Sequence, residues 1–377
     1  MNYSKKSIQY HKKNKGKITI KVKTPLKNAE DLASAYTPGV GAVVKEINKS
    51  KNKSYELTNR GNMVAIVSDG TAVLGLGNMG PEAAMPVMEG KSAIFKEFAN
   101  VDAIPLCINT TDTQEIIKFC KNIEPSFGGI NLEDISAPRC FEILKQLEKE
   151  LSIPVFHDDQ DGTAIVVLSA LINSCKVLKR QIKNQQVVIN GAGAAGIAIA
   201  KLLLAYGIKN IIICDSKGII YKERKDLNSE KKEIAKQTNN KNIKGELKDA
   251  MIGADVFIGV SVGNILNEKI IKTMNKNSII FAMANPIPEI MPEKALKAGA
   301  TIVGTGRSDI PNQINNALVF PGLFRGILDK KIIKITQKIK IKVSIALANM
   351  VKNPNKSKIL PEVIDKRVAV EIKKVIL

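Results

Sequence analysis

Two pairs of adjacent carboxylates are the residues whose types and spacing most clearly suggest chemistry. Glu133-Asp134 and Asp158-Asp159 each follow a short apolar run of strand length. If both runs are parallel strands, the two pairs meet at the carboxyl edge of the sheet, where α/β proteins bind ligands. Three such oxygens suit a hard divalent cation, Mg²⁺ or Mn²⁺. Either pair alone would be explained by a solvated loop or a helix cap, but two pairs in equivalent places favour a metal site.

The carboxylate pairs are positioned by an alternation of apolar strands and helices, which predicts a parallel sheet with helices on its faces. In the first half, the predicted strands are 64–67, 103–108, 128–131 and 154–157, and the predicted helices are 81–98, 114–122, 138–151 and 162–178. A second series has strands at 187–190, 210–215, 256–260, 278–282 and 301–303, and then a helical segment over 330–377. Residues 1–30 are predicted to be an exposed lead-in with a short edge strand over 17–23.

A dinucleotide-binding fingerprint follows the first strand of the second series. It reads Gly191-Ala192-Gly193-Ala194-Ala195-Gly196, and an unbroken helical stretch comes directly after it. The glycines allow a tight turn, a close approach to a pyrophosphate and close packing of helix on strand. The first backbone N–H groups of the helix, around Ala194 and Ala195, then face the phosphates. Asp215 ends the next strand, nineteen residues after Gly196, where an acid accepts the ribose hydroxyls.

These patterns predict an α/β fold with two domains. The first is an N-terminal α/β substrate domain over residues 1–158. The second is a Rossmann-type, doubly wound dinucleotide-binding domain with C-terminal helices over residues 159–377. The same glycine pattern also occurs at 75–80, but there we predict only a turn of the substrate domain. Its downstream helix is expected to be interrupted by Pro86 and Gly90.

Several other side chains are open to either a structural or a functional explanation. In a chain with 50 lysines, an exposed role is the default for Lys91, and Tyr36 in a turn-like segment would be explained by core packing. Asn285, at the end of a predicted strand, and the pair Asn315-Asn316 are equally ambiguous. Local physical chemistry does not choose between these explanations.

The composition is that of a globular protein with an unusual charge. Of the 377 residues, 44% are hydrophobic and 25% charged, which excludes wholesale disorder, and no apolar run is long enough to span a membrane. The net charge is +21, but the lysines are scattered, only seven residues are arginine and no tryptophan occurs. We interpret this charge mainly as codon bias, with nucleic-acid binding as a minor alternative. Five cysteines without a C-x-x-C pair, and no visible secretory signal, predict a cytoplasmic protein.

Taken in order along the chain, these segments resemble malic enzymes, and specifically the short bacterial branch. The matching stretches are SAYTPGV (34–40), SDGTAVLGLGNMG (68–80), MEGKSAIFK (88–96), GGINLEDISAPRCFEI (128–143), PVFHDDQDGTA (154–164), the fingerprint at 191–196, FAMANPIPE (281–289) and GRSDIPNQINNALVFPG (306–322). The resemblance implies metal-dependent oxidative decarboxylation of malate to pyruvate and CO₂ with reduction of NAD or NADP. It also implies decarboxylation of oxaloacetate and a homo-oligomer, with a dimer expected.

The resemblance also implies roles for individual residues. Tyr36 corresponds to the general acid, and Lys91 to the general base, with its pKa expected to be lowered in a closed site. The expected metal ligands are Glu133, Asp134 and Asp159. The expected substrate contacts near the nicotinamide are Asn285, Asn315 and Asn316. Asp215 favours NAD, with NADP as the alternative because Ser216 and Lys217 follow it and would suit a 2′-phosphate.

Two departures from the family pattern carry their own expectations. Eukaryotic relatives place an arginine that binds the substrate carboxylate shortly after the Asp-Gly of the 68–80 segment. This chain has Thr71 and Ala72 there, as in the short bacterial branch, which leaves the partner of that carboxylate open. Asp161 follows the HDDQ segment, and a carboxylate so close to the metal ligands is expected to alter the metal preference. Two alternatives remain at this stage: a basic nucleotide-fold binding protein without turnover, and an oxaloacetate decarboxylase that no longer transfers hydride.

Overall fold

A computed structural model describes residues 3–376, which form two mainly parallel sheets flanked by helices. The helices are α1 (Tyr3–Asn14), α2 (Ala29–Ala35), α3 (Val40–Lys49), α4 (Ser54–Leu57), α5 (Pro81–Ala99), α6 (Thr113–Ile123), α7 (Arg139–Glu150), α8 (Thr163–Val177), α9 (Ala194–Tyr206), α10 (Ser229–Ala235), α11 (Leu247–Ala250), α12 (Glu268–Ile271), α13 (Pro292–Lys297), α14 (Phe320–Lys330), α15 (Gln337–Asn349) and α16 (Arg367–Val375). The strands are β1 (Met63–Ser68), β2 (Asp102–Cys107), β3 (Gly129–Leu132), β4 (Val155–His157), β5 (Val187–Asn190), β6 (Ile211–Asp215), β7 (Gly218–Ile219), β8 (Val256–Gly259), β9 (Ile279–Ala282) and β10 (Ile302–Thr305).

The first sheet brings the two carboxylate pairs to one edge. Its strand order is β2-β1-β3-β4, and every pairing in it is parallel. Leu132 at the end of β3 pairs with His157 at the end of β4. The acidic residues that follow these two strands therefore leave the sheet side by side, as the sequence predicted.

The second sheet has the order β10-β9-β8-β5-β6-β7, with only β7 antiparallel to its neighbour. The chain reverses direction across the sheet between β5 and β8. Ligands bind at such a reversal, in the crevice beyond the carboxyl ends of the strands. The glycine turn after β5 lies at this point, which confirms the prediction of a Rossmann-type doubly wound sheet.

Helix α14, although it follows the second sheet in the chain, packs on the first domain. The ring of Phe320 lies 4.6 Å from that of Phe95 in α5, and Phe324 lies 6.0 Å from Phe156 in β4, measured between centroids. All four rings are fully buried. The start of α14 is thereby fixed beside α5 and the end of β4, where the carboxylate pairs emerge.

Two local predictions were wrong. Residues 17–23 form no strand and pair with no other strand in the described part of the chain, and Ile20 is 93% exposed. The helix after residue 80 is continuous from Pro81 to Ala99 and includes Pro86. Buried Ala84, Met88 and Phe95 anchor it on both sides of the proline. Among the described helices, none is long and apolar enough to cross a membrane.

Candidate active site

Three of the carboxylates converge closely enough to hold one cation. One oxygen each of Glu133, Asp134 and Asp159 lies within 4.8 Å of the others, and Glu133 and Asp134 are buried. The backbone N–H of Asp134 donates to Asp159 Oδ2 at 3.0 Å, which ties the ends of β3 and β4 together. Buried Asp134 Oδ2 has no hydrogen-bond partner in the structure. An all-oxygen donor set with an unpartnered buried oxygen fits Mg²⁺ or Mn²⁺.

The protein holds this acidic cluster at some cost. Asp134 has a φ of 53°, a left-handed conformation that is rare for a residue other than glycine and that clusters at functional sites. Burial, together with the neighbouring Asp159, raises the pKa of Asp134 to about 7. Burial also raises the pKa of Glu133 well above its ordinary value, although Lys91 opposes this. A bound cation would offset the repulsion between these groups.

Lys91 lies in α5 with its ammonium group inside the acidic cluster. Lys91 Nζ is 2.6 Å from Glu133 Oε1, contacts Asp158 and lies 4.8 Å from the ring centroid of Phe320. Burial alone would lower the pKa of Lys91, but Asp158, Glu133 and Asp159 together raise it above its ordinary value. The expectation of a lowered pKa is therefore wrong for the protein without a bound cation, because three anions surround the ammonium group.

Asp158 lies in the site, although no separate role was predicted for it from the sequence. It is fully buried, and its carboxylate contacts Lys91. Burial raises the pKa of Asp158 to about 6, against the opposing effect of Lys91. The available signal was its place beside Asp159, but the sequence could not show that the two neighbours point to different partners.

Asp161 does not add a carboxylate to the cluster, contrary to expectation. Lys340 Nζ in α15 lies 2.6 Å from Asp161 Oδ1, and both side chains are largely buried. The π-helical turn Asp158–Gly162 directs this side chain away from Asp159 and towards the C-terminal helices. The sequence could not show this pairing, because the two partners are far apart along the chain.

Tyr36 is the one proposed proton-transfer residue that the structure leaves apart. It follows α2 and is 67% exposed, whereas Lys91 is buried. Over residues 3–376, no hydrogen bond joins the Tyr36 side chain to Lys91 or to the acidic cluster. A role with Lys91 would therefore require Tyr36 of another subunit or a movement of the N-terminal segment.

The three asparagines lie in different surroundings. Asn316 lies beside the turn that carries Asp158 and Asp159, because a Cβ added at Gly162 would lie 3.1 Å from Asn316 Cβ. Asn315 instead accepts the backbone N–H of Ala317 at 2.8 Å, so its side-chain oxygen already caps a helical turn.

Asn285 lies in an exposed loop after β9, and its carbonyl oxygen would be 2.5 Å from a Cβ at Gly75. The first glycine pattern is thus a turn that meets the second domain.

The dinucleotide fingerprint forms the wall of a large crevice. A cavity of about 530 Å³ is lined by residues at or after the ends of β5, β6 and β8, at the start of α10 and before α7: Ala137, Pro138, Asn190, Gly191, Ala192, Gly193, Asp215, Ser216, Asn228, Lys231, Ser261, Val262 and Ile265. A Cβ added at Gly196 would overlap the carbonyl of Gly191, whereas one at Gly193 would meet nothing within 4 Å. Gly196 therefore permits the close turn, and Gly193 leaves an open backbone surface, as a bound pyrophosphate requires.

Asp215 is paired with two cations that the sequence did not single out. Arg224 Nη2 lies 2.8 Å from Asp215 Oδ1, and Lys231 Nζ lies 2.6 Å from Oδ2. Burial opposes ionisation of Asp215, but hydrogen bonds from Lys231, the N–H of Lys217 and Arg224 lower its pKa. The Lys217 ammonium group instead lies 3.0 Å from Asp226 and is largely exposed. Lys231, which lines the crevice, is therefore better placed than Lys217 to meet a 2′-phosphate.

Comparison with known proteins matches both halves of the chain to one family. Residues 15–148 match the malic enzyme N-terminal domain, and residues 160–376 match the malic enzyme NAD-binding domain. A bifunctional malic/malolactic enzyme of Bacillus subtilis is 52% identical over all of this chain and 92% of its own length. An NADP-dependent malic enzyme of Rhizobium meliloti is 47% identical over 93% of this chain, which spans 46% of that protein.

Solved structures agree with the sequence comparison. The crystal structure of an NAD-dependent malic enzyme from Thermotoga maritima has a TM-score of 0.95 and 47% identity, and the match covers 98% of each chain. The two domains, the acidic cluster at the first sheet and the dinucleotide crevice at the second thus occur in a fold shared with enzymes of known name. This chain belongs to the malic enzyme family.

Proposed function

We propose that the protein oxidises malate and releases CO₂ and pyruvate, with reduction of NAD or NADP, and that it also decarboxylates oxaloacetate. The observation that carries this proposal is the convergence of Lys91 with Glu133, Asp134 and Asp159 at the edge of the first sheet. When bound, the cation acts as a Lewis acid on the substrate oxygens, and the nicotinamide accepts the hydride. Glu133, Asp134 and Asp159 would hold the cation.

Lys91 is proposed as the base that takes the proton of the substrate hydroxyl. The carboxylates around Lys91 raise its pKa and so hold its proton. A cation held by Glu133, Asp134 and Asp159 would offset their charge and ease the loss of that proton. Asp158 keeps the ammonium group oriented towards the cluster.

Tyr36 is proposed as the acid that protonates the enol of pyruvate, and Asn285 and Asn316 as substrate contacts. Asn315 is the weakest of the proposed contacts, because its oxygen already serves as a cap.

For the cofactor, we propose a modest preference for NAD with NADP accepted as well. The Asp215 carboxylate is placed to accept ribose hydroxyls, but Arg224 and Lys231 already neutralise it. Its repulsion of a 2′-phosphate is correspondingly weak. Relatives named as NAD-dependent and as NADP-dependent are both consistent with this balance.

We also propose that the protein is a homodimer in which Tyr36 of one subunit reaches Lys91 of the partner subunit. The support is the N-terminal segment, in which α1, α2 and α3 contain no buried residue. Apolar side chains in this segment are largely exposed, among them Ile20, Val22, Leu26, Leu32 and Val44. An excess of exposed apolar side chains in one segment supports its use as a protein interface.

A cytoplasmic location and a domain boundary near residue 158 complete the proposal. The five cysteines are all free, and free buried thiols are typical of reducing compartments. The boundary is supported by the end of β4 at His157, after which the chain passes through α8 to the second sheet. Under this division, Asp159 is the first residue of the second domain, while Glu133 and Asp134 follow β3 within the first.

Removal of the metal tests the proposed chemistry. Chelation should abolish malate oxidation, and Mg²⁺ or Mn²⁺ should restore it. Asp159→Ala should be nearly inactive both in malate oxidation and in oxaloacetate decarboxylation. Asp112→Ala is the matched control, because Asp112 is an exposed carboxylate after β2 at the same edge of the sheet. Full activity in excess chelator would refute the metal assignment, and a separate assay for lactate identifies any non-oxidative product.

A further inference from the structure

A carboxylate that the proposed reaction does not use is buried under the dinucleotide crevice. Glu289 is fully buried and follows the loop after β9. Its Oε1 accepts the backbone N–H of Ser261 at 3.2 Å, and its Oε2 accepts the backbone N–H of Ala284 at 3.0 Å. Ser261 lies in the loop after β8, and Ala284 lies in the loop after β9. One side chain therefore joins two neighbouring loops at the carboxyl edge of the second sheet.

The backbone around Glu289 is arranged to admit this carboxylate. A Cβ added at Gly259, the last residue of β8, would overlap the Glu289 carboxyl group. The two loops are further paired by Asn264 N–H to the Pro288 carbonyl, and by Leu266 N–H to the Glu289 carbonyl, both at 3.0 Å. An apolar side chain would fill the same space without the cost of burying a charge. The carboxylate therefore contributes something that packing alone does not, namely two acceptors for two loop N–H groups.

The two loops that Glu289 joins border different parts of the protein. Ser261, Val262 and Ile265 line the cavity of about 530 Å³. The other loop carries Asn285, whose carbonyl oxygen lies close to Gly75 of the first domain. A shift of one loop relative to the other would therefore change the distance between Ser261, in the wall of the crevice, and Asn285, beside the first domain.

We propose that Glu289 is a positioning residue for the malic enzyme reaction. It fixes the backbone of Ser261 to that of Ala284 and so aligns bound cofactor with substrate at Asn285. The substrate half of this inference rests on the proposed role of Asn285, whereas the cofactor half rests only on Ser261 and the crevice. Misplacement by about 1 Å of groups that orient reactants costs on the order of 10²-fold in rate.

Two variants with one control test this proposal. Glu289→Gln keeps the size of the side chain but turns an N–H₂ group against one of the two backbone N–H groups. Gly259→Ala keeps the carboxylate and displaces it. Asp255→Asn is the control, because Asp255 also accepts a backbone N–H, that of Gln186, but at the opposite end of β8. The measurements are the affinity for NAD by nucleotide fluorescence, kcat and KM for malate, and the melting temperature.

Both test variants should lose affinity for NAD and at least about tenfold in kcat/KM for malate at temperatures well below melting. The control should change only the melting temperature. Wild-type NAD affinity and kcat/KM in either folded test variant would overturn the proposal, as would a loss in melting temperature alone. Asn285→Ala separates the two claims. Full activity of Asn285→Ala would refute the role of Asn285. The NAD affinity of the two test variants would then decide whether Glu289 positions Ser261.

Discussion

Lys91 is a lysine that the fold buries among carboxylates, and we propose that it acts there as the base. The chain has 50 lysines, and local sequence chemistry does not distinguish this one, whereas the family resemblance and the fold do. Packing of α5 and α14 places its ammonium group beside Glu133, Asp158 and the ring of Phe320. The carboxylates around the ammonium group raise the pKa of Lys91, so its proposed role as a base depends on what offsets their charge.

Replacing this side chain should remove the proton acceptor. Lys91→Ala is expected to lower kcat for malate oxidation by about 10²-fold or more, the usual scale for a lost acid–base group. Lys96→Ala is the matched control, because Lys96 lies on the same helix and forms only exposed contacts with Asn100 and Asp102. Steady-state kinetics of the two variants decide the matter. Near-normal turnover of Lys91→Ala would return this residue to a structural role.

At the scale of elements, the sequence predicted most of the fold because strands and helices follow local patterns. The β/α alternation, the parallel strands of both sheets and the turn at 191–196 were readable from apolar periodicity and glycine spacing, whereas the short antiparallel β7 was not predicted. Helix α5 was misjudged, because buried contacts override the effect of Pro86. The pairing of Asp161 with Lys340 was beyond reach, because it depends on where α15 packs. A local sequence pattern cannot predict a contact between residues that are so far apart along the chain.

The end of β6 gives a prediction about the choice of cofactor. Asp215→Ser should shift the ratio of kcat/KM values towards NADP, because the carboxylate is lost while Arg224 and Lys231 remain beside the site. Adding Lys231→Ala should reverse part of that shift, whereas adding Lys217→Ala should have little effect, since Lys217 pairs with Asp226. Steady-state kinetics with NAD and with NADP give the ratio of kcat/KM values for the wild type and each variant. A wild-type preference for NADP of about tenfold, ~1.4 kcal/mol, would contradict the proposed preference for NAD.

In the molecule as a whole, Tyr36 on the exposed N-terminal segment is separated from the buried acidic cluster with which it is proposed to act. Tyr36 lies on the surface of one chain, while Lys91 is enclosed. A symmetric dimer solves this if the N-terminal segment of each subunit covers the site of the other. The same contact would bury apolar side chains such as Ile20 and Val22. The sequence alone could not indicate this, because the family resemblance assigns Tyr36 a role without saying which subunit supplies it.

Mixing two inactive variants tests the shared site. Tyr36→Phe and Lys91→Ala are each expected to be impaired as pure proteins. After co-refolding in equal amounts, mixed dimers should contain one intact site, which restores about a quarter of wild-type activity. A mixture of Lys91→Ala with Asp159→Ala is the control and should stay inactive, because both residues belong to the same subunit's site. Absence of recovery in the first mixture, despite confirmed dimers, would place Tyr36 and Lys91 in one chain.

We propose that this chain couples hydride transfer to loss of CO₂ at one metal-dependent site. The most direct measurement follows the absorbance of reduced nicotinamide during turnover of malate with Mn²⁺ and NAD or NADP, together with the amounts of pyruvate and CO₂ formed. We predict that all three products appear in equal amounts and that none appears in excess chelator. Pyruvate or lactate formed without reduced nicotinamide, or turnover that persists without a metal ion, would contradict the proposed function.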